Sequence, residues 1–166
     1  MVRALPESDL EAGLARAEAS CRERGATLTA LRRQVLALVL GAPQPIGAYA
    51  LLDQLRATRA GAAPPTVYRA LDFLLEQGLI HRLERLNAFV ACAHQHAAHE
   101  HAQHHQHQFL ICGRCGGTAE ICDSAVSLAV RAAAMGLGFQ LHRATVEVEG
   151  ICGRCAGDSQ IVLRES

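Results

Sequence analysis

The chain has 166 residues, half of them hydrophobic, and its 16 basic residues, all arginine, balance 16 acidic ones; this excludes a disordered chain and fits one ordinary domain or two small ones. No apolar run approaches the roughly 20 residues of a bilayer span, and the opening MVRALPESDLEAG carries acids where a signal peptide is apolar, so a cytoplasmic protein is expected. Residues 1–85 hold 11 arginines against 9 acids and residues 86–166 hold 5 against 7, which excludes a strongly basic, non-specific nucleic-acid binder while leaving a small positive bias in the first half.

Residues 8–24 place Leu10, Leu14, Ala17 and Cys21 at helical spacing ahead of Gly25, which predicts a first helix. Thr29 is placed to cap a second, with Leu31, Val35, Leu38 and Val39 on its apolar face and an end near Gly41 and Pro43. A third is predicted over about 48–59 on Leu51, Leu52 and Leu55. The fourth starts at Pro64 and Pro65, turns Val67, Leu71, Leu74 and Leu75 inward, and stops at Gly78. Its outward face carries Thr66, Tyr68, Arg69, Asp72 and Glu76. Two short strands follow, at 79–83 and 88–92. Helices leading into a two-stranded hairpin are the order of a winged helix-turn-helix. An aromatic beside an arginine on the outward face suits DNA, the ring packing on sugar or a thymine methyl and the guanidinium reaching phosphate or guanine; an amphipathic core helix with a solvated face would show the same pattern.

Residues 93–107 are a low-complexity tract with seven of the nine histidines, most of which read as well as part of a mobile loop and weak metal buffer as they do as specific ligands. The domain boundary is placed here, around 87–94. Beyond it come strands at 108–112 and 118–122, a helix at about 124–135 and a long alternating strand at 139–148, a small α/β unit with an antiparallel sheet. The expected fold is α+β, with a winged helix at 1–87, a hinge and histidine-rich loop at 88–107, and a second domain at 108–166.

The strongest chemical signal is Cys112-Gly-Arg-Cys115 with Cys152-Gly-Arg-Cys155, 36 residues apart. In a reducing compartment such pairs favour metal over disulfides. Each presents two thiolates from one tight turn, eased by Gly113 and Gly153, and four thiolates make a closed tetrahedral site suited to structural zinc. Two separate redox dithiols or an iron centre are the alternatives. A looser set, His81, Cys92, the histidine tract and Glu120, brackets the boundary, where an exchangeable metal could change domain orientation; taken singly, each is an ordinary solvated or hydrogen-bonded residue. Cys21 and Cys122 read as small core residues. A zinc protease is disfavoured because Gln103 stands where the second histidine after His99-Glu100 belongs, and a zinc deaminase because Ile111 and Ile151, not proline, precede the cysteine pairs.

Taken together, Pro64-Pro65-Thr-Val-Tyr-Arg-Ala-Leu-Asp-Phe-Leu-Leu-Glu-Gln-Gly78, His81 and the two cysteine pairs resemble the ferric uptake regulator family, most closely its zinc uptake regulator branch, over almost the whole chain. The resemblance implies a repressor of zinc-uptake genes rather than an enzyme. It would be a homodimer on palindromic double-stranded operator DNA, joined through its second domain, with no membrane or small-molecule substrate as partner. Two Zn2+ per subunit are implied, a structural one on Cys112, Cys115, Cys152 and Cys155 and a regulatory one on His81, Cys92, His105 and Glu120. His99, His101, His104 and His107 compete for the place of His105. DNA contacts fall on Tyr68 and Arg69, with Thr66 beside them. Cys92 favours zinc over the nitrogen and oxygen donors of iron and manganese sensors. An iron or peroxide sensor of the same family and a zinc-storage or chaperone protein are the alternative functions.

Overall fold

The computed structural model describes residues 6–92, 107–142 and 144–162. The chain divides into two compact units, residues 2–98 and residues 99–166. Among the described residues no helix is long and apolar enough to cross a membrane.

The first unit has four helices, α1 (Glu7–Glu23), α2 (Ala30–Gly41), α3 (Ala48–Thr58) and α4 (Pro64–Glu76), then an antiparallel hairpin of β1 (Ile80–Leu83) and β2 (Ala88–Ala91). Because apolar residues recur at three and four, each helix turns one stripe inward. Leu14, Ala17 and Cys21 of α1, Val35, Leu36 and Val39 of α2, Leu51, Leu52 and Leu55 of α3, and Val67, Ala70, Leu71 and Leu74 of α4 form one core with Ile80 and Phe89. Its interior is helical, and the hairpin lies along it through Phe89. Ile46 exchanges both backbone hydrogen bonds with Phe89, at 3.0 and 2.9 Å, adding a one-residue third strand to the wing that no pattern in the sequence signals. Pairing carries this unit through Ala91.

Thr29 precedes α2 as expected, but its side chain makes no capping hydrogen bond. The turn is held instead by Arg32, whose Nη1 donates to the Thr27 carbonyl at 2.7 Å while its guanidinium lies 3.6 Å from the centre of the Phe73 ring. Gly78 ends α4 at φ +66°, where its own N–H bonds the Leu75 carbonyl and the next N–H, of Leu79, bonds Leu74 at 2.9 Å. This pairing satisfies two of the last carbonyls and turns the chain into the wing. Gly78→Ala is expected to lower stability by about 1 kcal/mol, because a Cβ is disfavoured in the left-handed region; denaturant unfolding of the full chain measures it.

The second unit holds β3 (His107–Cys112), β4 (Thr118–Ile121), α5 (Ser124–Gly136), β5 (Thr145–Gly150) and α6 (Gly153–Val162). Its sheet runs β4-β3-β5 and is mixed: β3 pairs antiparallel with β4, as expected, but parallel with β5. Parallel neighbours need a crossover, and here β4 and α5 lie between the two strands in the chain. The long strand expected over 139–148 is shorter. Phe139 donates its N–H to Ala134 and so closes α5, and pairing begins only at Thr145. Cys122, expected in the core, is exposed just past the edge strand β4. Asp123 caps α5 by accepting from the Ala125 N–H at 2.7 Å, and buried Gln108 of β3 donates to the Asp123 carbonyl and the Ser127 hydroxyl, tying strand to helix.

Candidate metal centres and nucleic-acid interface

β3 ends at Cys112 and α6 begins just after Cys152, and the register Cys112↔Gly150 sets the two Cys-Gly-Arg-Cys turns side by side. One ligand atom from each of Cys112, Cys115, Cys152 and Cys155 lies within 4.8 Å of all the others. Tetrahedral zinc with bonds of about 2.3 Å has sulfur atoms about 3.8 Å apart, and the Cys115 and Cys152 sulfurs are separated by 3.8 Å. None of the seven cysteines is in a disulfide. The four thiols therefore fit zinc as one closed site, and the fold joins the two pairs rather than keeping them as separate dithiols.

The electrostatics of this cluster are uneven. The Cys112 thiol is pulled down to about 6, first by the backbone N–H of Cys152, whose nitrogen lies 3.3 Å from the Cys112 sulfur, and then by those of Cys115 and Arg114. Cys115 is also lowered, chiefly by the Gly117 N–H. Cys155 is pushed up to about 12 by its hydrogen bond with Cys152 and by burial. A thiolate is thus available on the first turn to receive a divalent cation, which would displace the remaining protons.

The glycines do something other than expected. The left-handed residue of the first turn is Gly116, at φ +67°, whereas neither Gly113 nor Gly153 has a positive φ. A Cβ at Gly113 would come within 2.5 Å of the Glu149 carboxylate oxygen, so this exposed, flexible side chain would have to move aside, while a Cβ at Gly153 would meet nothing within 4 Å. Arg114 and Arg154, which the sequence reading passed over, both reach the opposite turn. The signal that pointed to them is the exact repetition of Cys-Gly-Arg-Cys.

In the first unit, His81 of β1 is buried and pairs with Val90. Cys92, half-buried, follows β2 and donates its N–H to Leu79 at 3.1 Å, which extends the ladder by one residue. Side chains alternate along a strand, so Cys92 shares the face of Val90 and stands diagonally across from His81. In the second unit the same logic brings His107 and Glu120 together: Phe109 opposes Glu120, and the His107 Nδ1 lies 3.3 Å from the Glu120 carboxylate. Of the tract histidines, His107 stands in β3, whereas His99, His101, His104 and His105 lie outside the described residues.

On α4, Val67, Leu71 and Leu74 are buried and Leu75 is partly so, while Tyr68, Arg69, Asp72 and Glu76 are exposed and Thr66 is half-exposed. Tyr68 leaves 43% of its surface in solvent, so an aromatic and a guanidinium stand together on the open face of the helix that leads into the wing.

The Ferric uptake regulator family profile matches residues 23–149. The chain is similar to the zinc uptake regulation protein of Escherichia coli (strain K12), at 42% identity over 142 residues, 86% of this chain and 80% of that one. Among solved structures it is similar to a zinc uptake regulator complexed with zinc and DNA, at 39% identity and a TM-score of 0.82, over 91% of this chain and 97% of that one. It is also similar to the holo form of XcZur, at 45% identity and a TM-score of 0.78, over 88% and 98% of the two chains.

Proposed function

The chain belongs to the ferric uptake regulator family, and from that premise we propose that it is a cytoplasmic, zinc-responsive transcriptional repressor, not an enzyme, which binds palindromic operator DNA as a zinc-loaded homodimer and silences zinc-uptake genes. The observation that carries this reading is the placement of His81 and Cys92 on one face of the wing, immediately after the helix that exposes Tyr68 and Arg69. Metal donors then stand on the hairpin that directly follows the proposed DNA-reading helix. A sulfur donor among them suits zinc better than iron or manganese.

Residues 1–87 are read as the DNA-binding domain, 88–107 as the hinge with its histidine tract, and 108–166 as the dimerisation domain. Support for dimerisation comes from unspent apolar surface in the second unit. α5 buries no residue, and Leu110, Leu128, Met135 and Val148 are all exposed, more apolar surface than a lone small unit usually leaves open. Two zinc ions per subunit are proposed, one on the four clustered cysteines and one on His81, Cys92, His105 and Glu120, with His107, 3.3 Å from the Glu120 carboxylate, as a competitor for the place of His105. When bound, the regulatory ion supplies a fixed geometry to donors from both halves of the chain. His81 and Cys92 would hold it from the wing, Glu120 and the histidine would hold it from the second domain, and a shared ion would cost the domains relative freedom. Tyr68 and Arg69, with Thr66 beside them, then meet successive half-sites of the operator.

A coupling of about 1–3 kcal/mol, ordinary for allosteric proteins, makes DNA binding roughly 5–150-fold tighter with zinc. Gel-shift titration of operator DNA across buffered free zinc tests it; equal binding by apo and loaded protein, or a response to iron alone, defeats the reading. Tyr68→Ala and Arg69→Ala are each expected to weaken operator binding about 10-fold or more, since a good base contact is worth about 1–3 kcal/mol. Their zinc content, measured on the same samples, stays that of the wild type.

A further inference from the structure

The two cysteine turns are the same tetrapeptide, and the third residue of each is an arginine that reaches the other turn. Arg114 donates from Nη1 to the Cys155 carbonyl at 2.8 Å. Arg154 brings Nη2 to 3.9 Å from the Cys115 sulfur. The exchange is reciprocal, one guanidinium gripping backbone and the other facing a thiol. The backbone bond from Gly113 N–H to the Gly150 carbonyl, at 3.0 Å, sits at the end of the β3–β5 ladder. Past it, the second turn is tied to the first through the Cys152 N–H on the Cys112 sulfur and through these two arginines.

Charge gives the arrangement its purpose. Four thiolates around a divalent cation carry two excess negative charges, and Cys112 and Cys155 are buried, where uncompensated charge is costly. Two arginines supply two compensating charges without being ligands. We infer that Arg114 and Arg154 are positioning residues of the tetrathiolate site, Arg114 by fixing the backbone of the second turn and Arg154 by holding charge against the Cys115 thiolate, so that zinc leaves slowly. The inference rests on the reading that the four cysteines hold zinc.

The test uses the zinc-loaded full chain, from which exchangeable zinc is first removed by brief exposure to a mild chelator. Release of the remaining zinc into excess chromophoric chelator is then followed for wild type, Arg114→Gln, Arg154→Gln and Arg154→Lys at low and high salt, with thermal melting alongside. Both glutamine variants are expected to start with wild-type zinc content, melt near the wild type, and release zinc about 10-fold faster, the lower end of what outer-shell changes at metal sites cause. Lysine at 154 restores slow release at low salt. The Arg154→Gln effect shrinks at high salt because exposed charges are screened, whereas the Arg114→Gln effect, a hydrogen bond to backbone, persists. Wild-type release rates in both glutamine variants overturn the inference, as does acceleration that merely follows a lowered melting temperature and is not rescued by lysine. A wild-type chain with no tightly held zinc removes the cysteine reading and this inference with it; a wild type that holds zinc beside unaffected variants removes only this one.

Discussion

Cys112→Ser and Cys155→Ser are expected to lose the tightly held zinc, unfold the second unit and abolish the dimer, the largest effect of any single substitution in the chain. The unit buries little else. Among the described residues its buried apolar side chains are Phe109, Ile111 and the cysteines Cys112 and Cys155 themselves, and α5 adds none. A core that small rarely stabilises a unit of this size unaided. Structural zinc in small domains contributes about 10–16 kcal/mol of binding energy that is also folding energy, comparable with the whole stability of an ordinary domain, about 5–15 kcal/mol. Serine keeps the shape of cysteine but offers no thiolate. Zinc per subunit, far-ultraviolet circular dichroism on heating and sedimentation measure the three losses. A serine variant that keeps its zinc and its melting temperature would show that the four thiols are not the structural site.

Cys92→Ser and His81→Ala are expected to give the opposite phenotype, a folded dimer with its tight zinc intact whose operator affinity no longer changes with free zinc. The whole zinc response, roughly 5–150-fold, should vanish, leaving binding at the apo level. Cys92 is the cleaner of the two, being half-buried at the end of the wing and replaced by a near-isostere. His81 is buried, so its alanine variant also leaves a void and loses some stability, about 1–3 kcal/mol by analogy with other buried truncations. Operator titrations against free zinc, paired with melting curves, separate the effects. Variants that unfold, or that keep a wild-type zinc response, refute the assignment of these residues to the regulatory ion.

The helices of the first unit were legible because their signals are local. Apolar residues three and four apart, prolines at the start of α4 and Gly78 at its end act within one or two turns, and the helix boundaries agree with expectation to within a residue or two. The cysteine site was legible for a related reason, since a repeated Cys-x-x-Cys states its donors outright and leaves to the fold only the task of bringing the two turns together. Less was legible where a residue's role depends on a distant segment. Nothing near Ile46 announces its pairing with Phe89, and α6 carries no helical apolar period. In the tract, closely spaced histidines share one local context, so spacing along the chain singles out none of them.

By itself, then, the sequence determined the two cysteine pairs, the exposed face of α4 and the order of the elements as far as β5, all of which follow from spacing along one stretch of chain. The tertiary structure alone decided that β5 runs parallel to β3, that the two cysteine turns stand within one sulfur-to-sulfur tetrahedron edge, and that each turn's arginine reaches across to the other. The reason is that spacing constrains neighbours in the chain, whereas these contacts join residues some 40 positions apart, such as Arg114 and Cys155, and only the free energy of the packed unit selects among the many pairings that spacing allows.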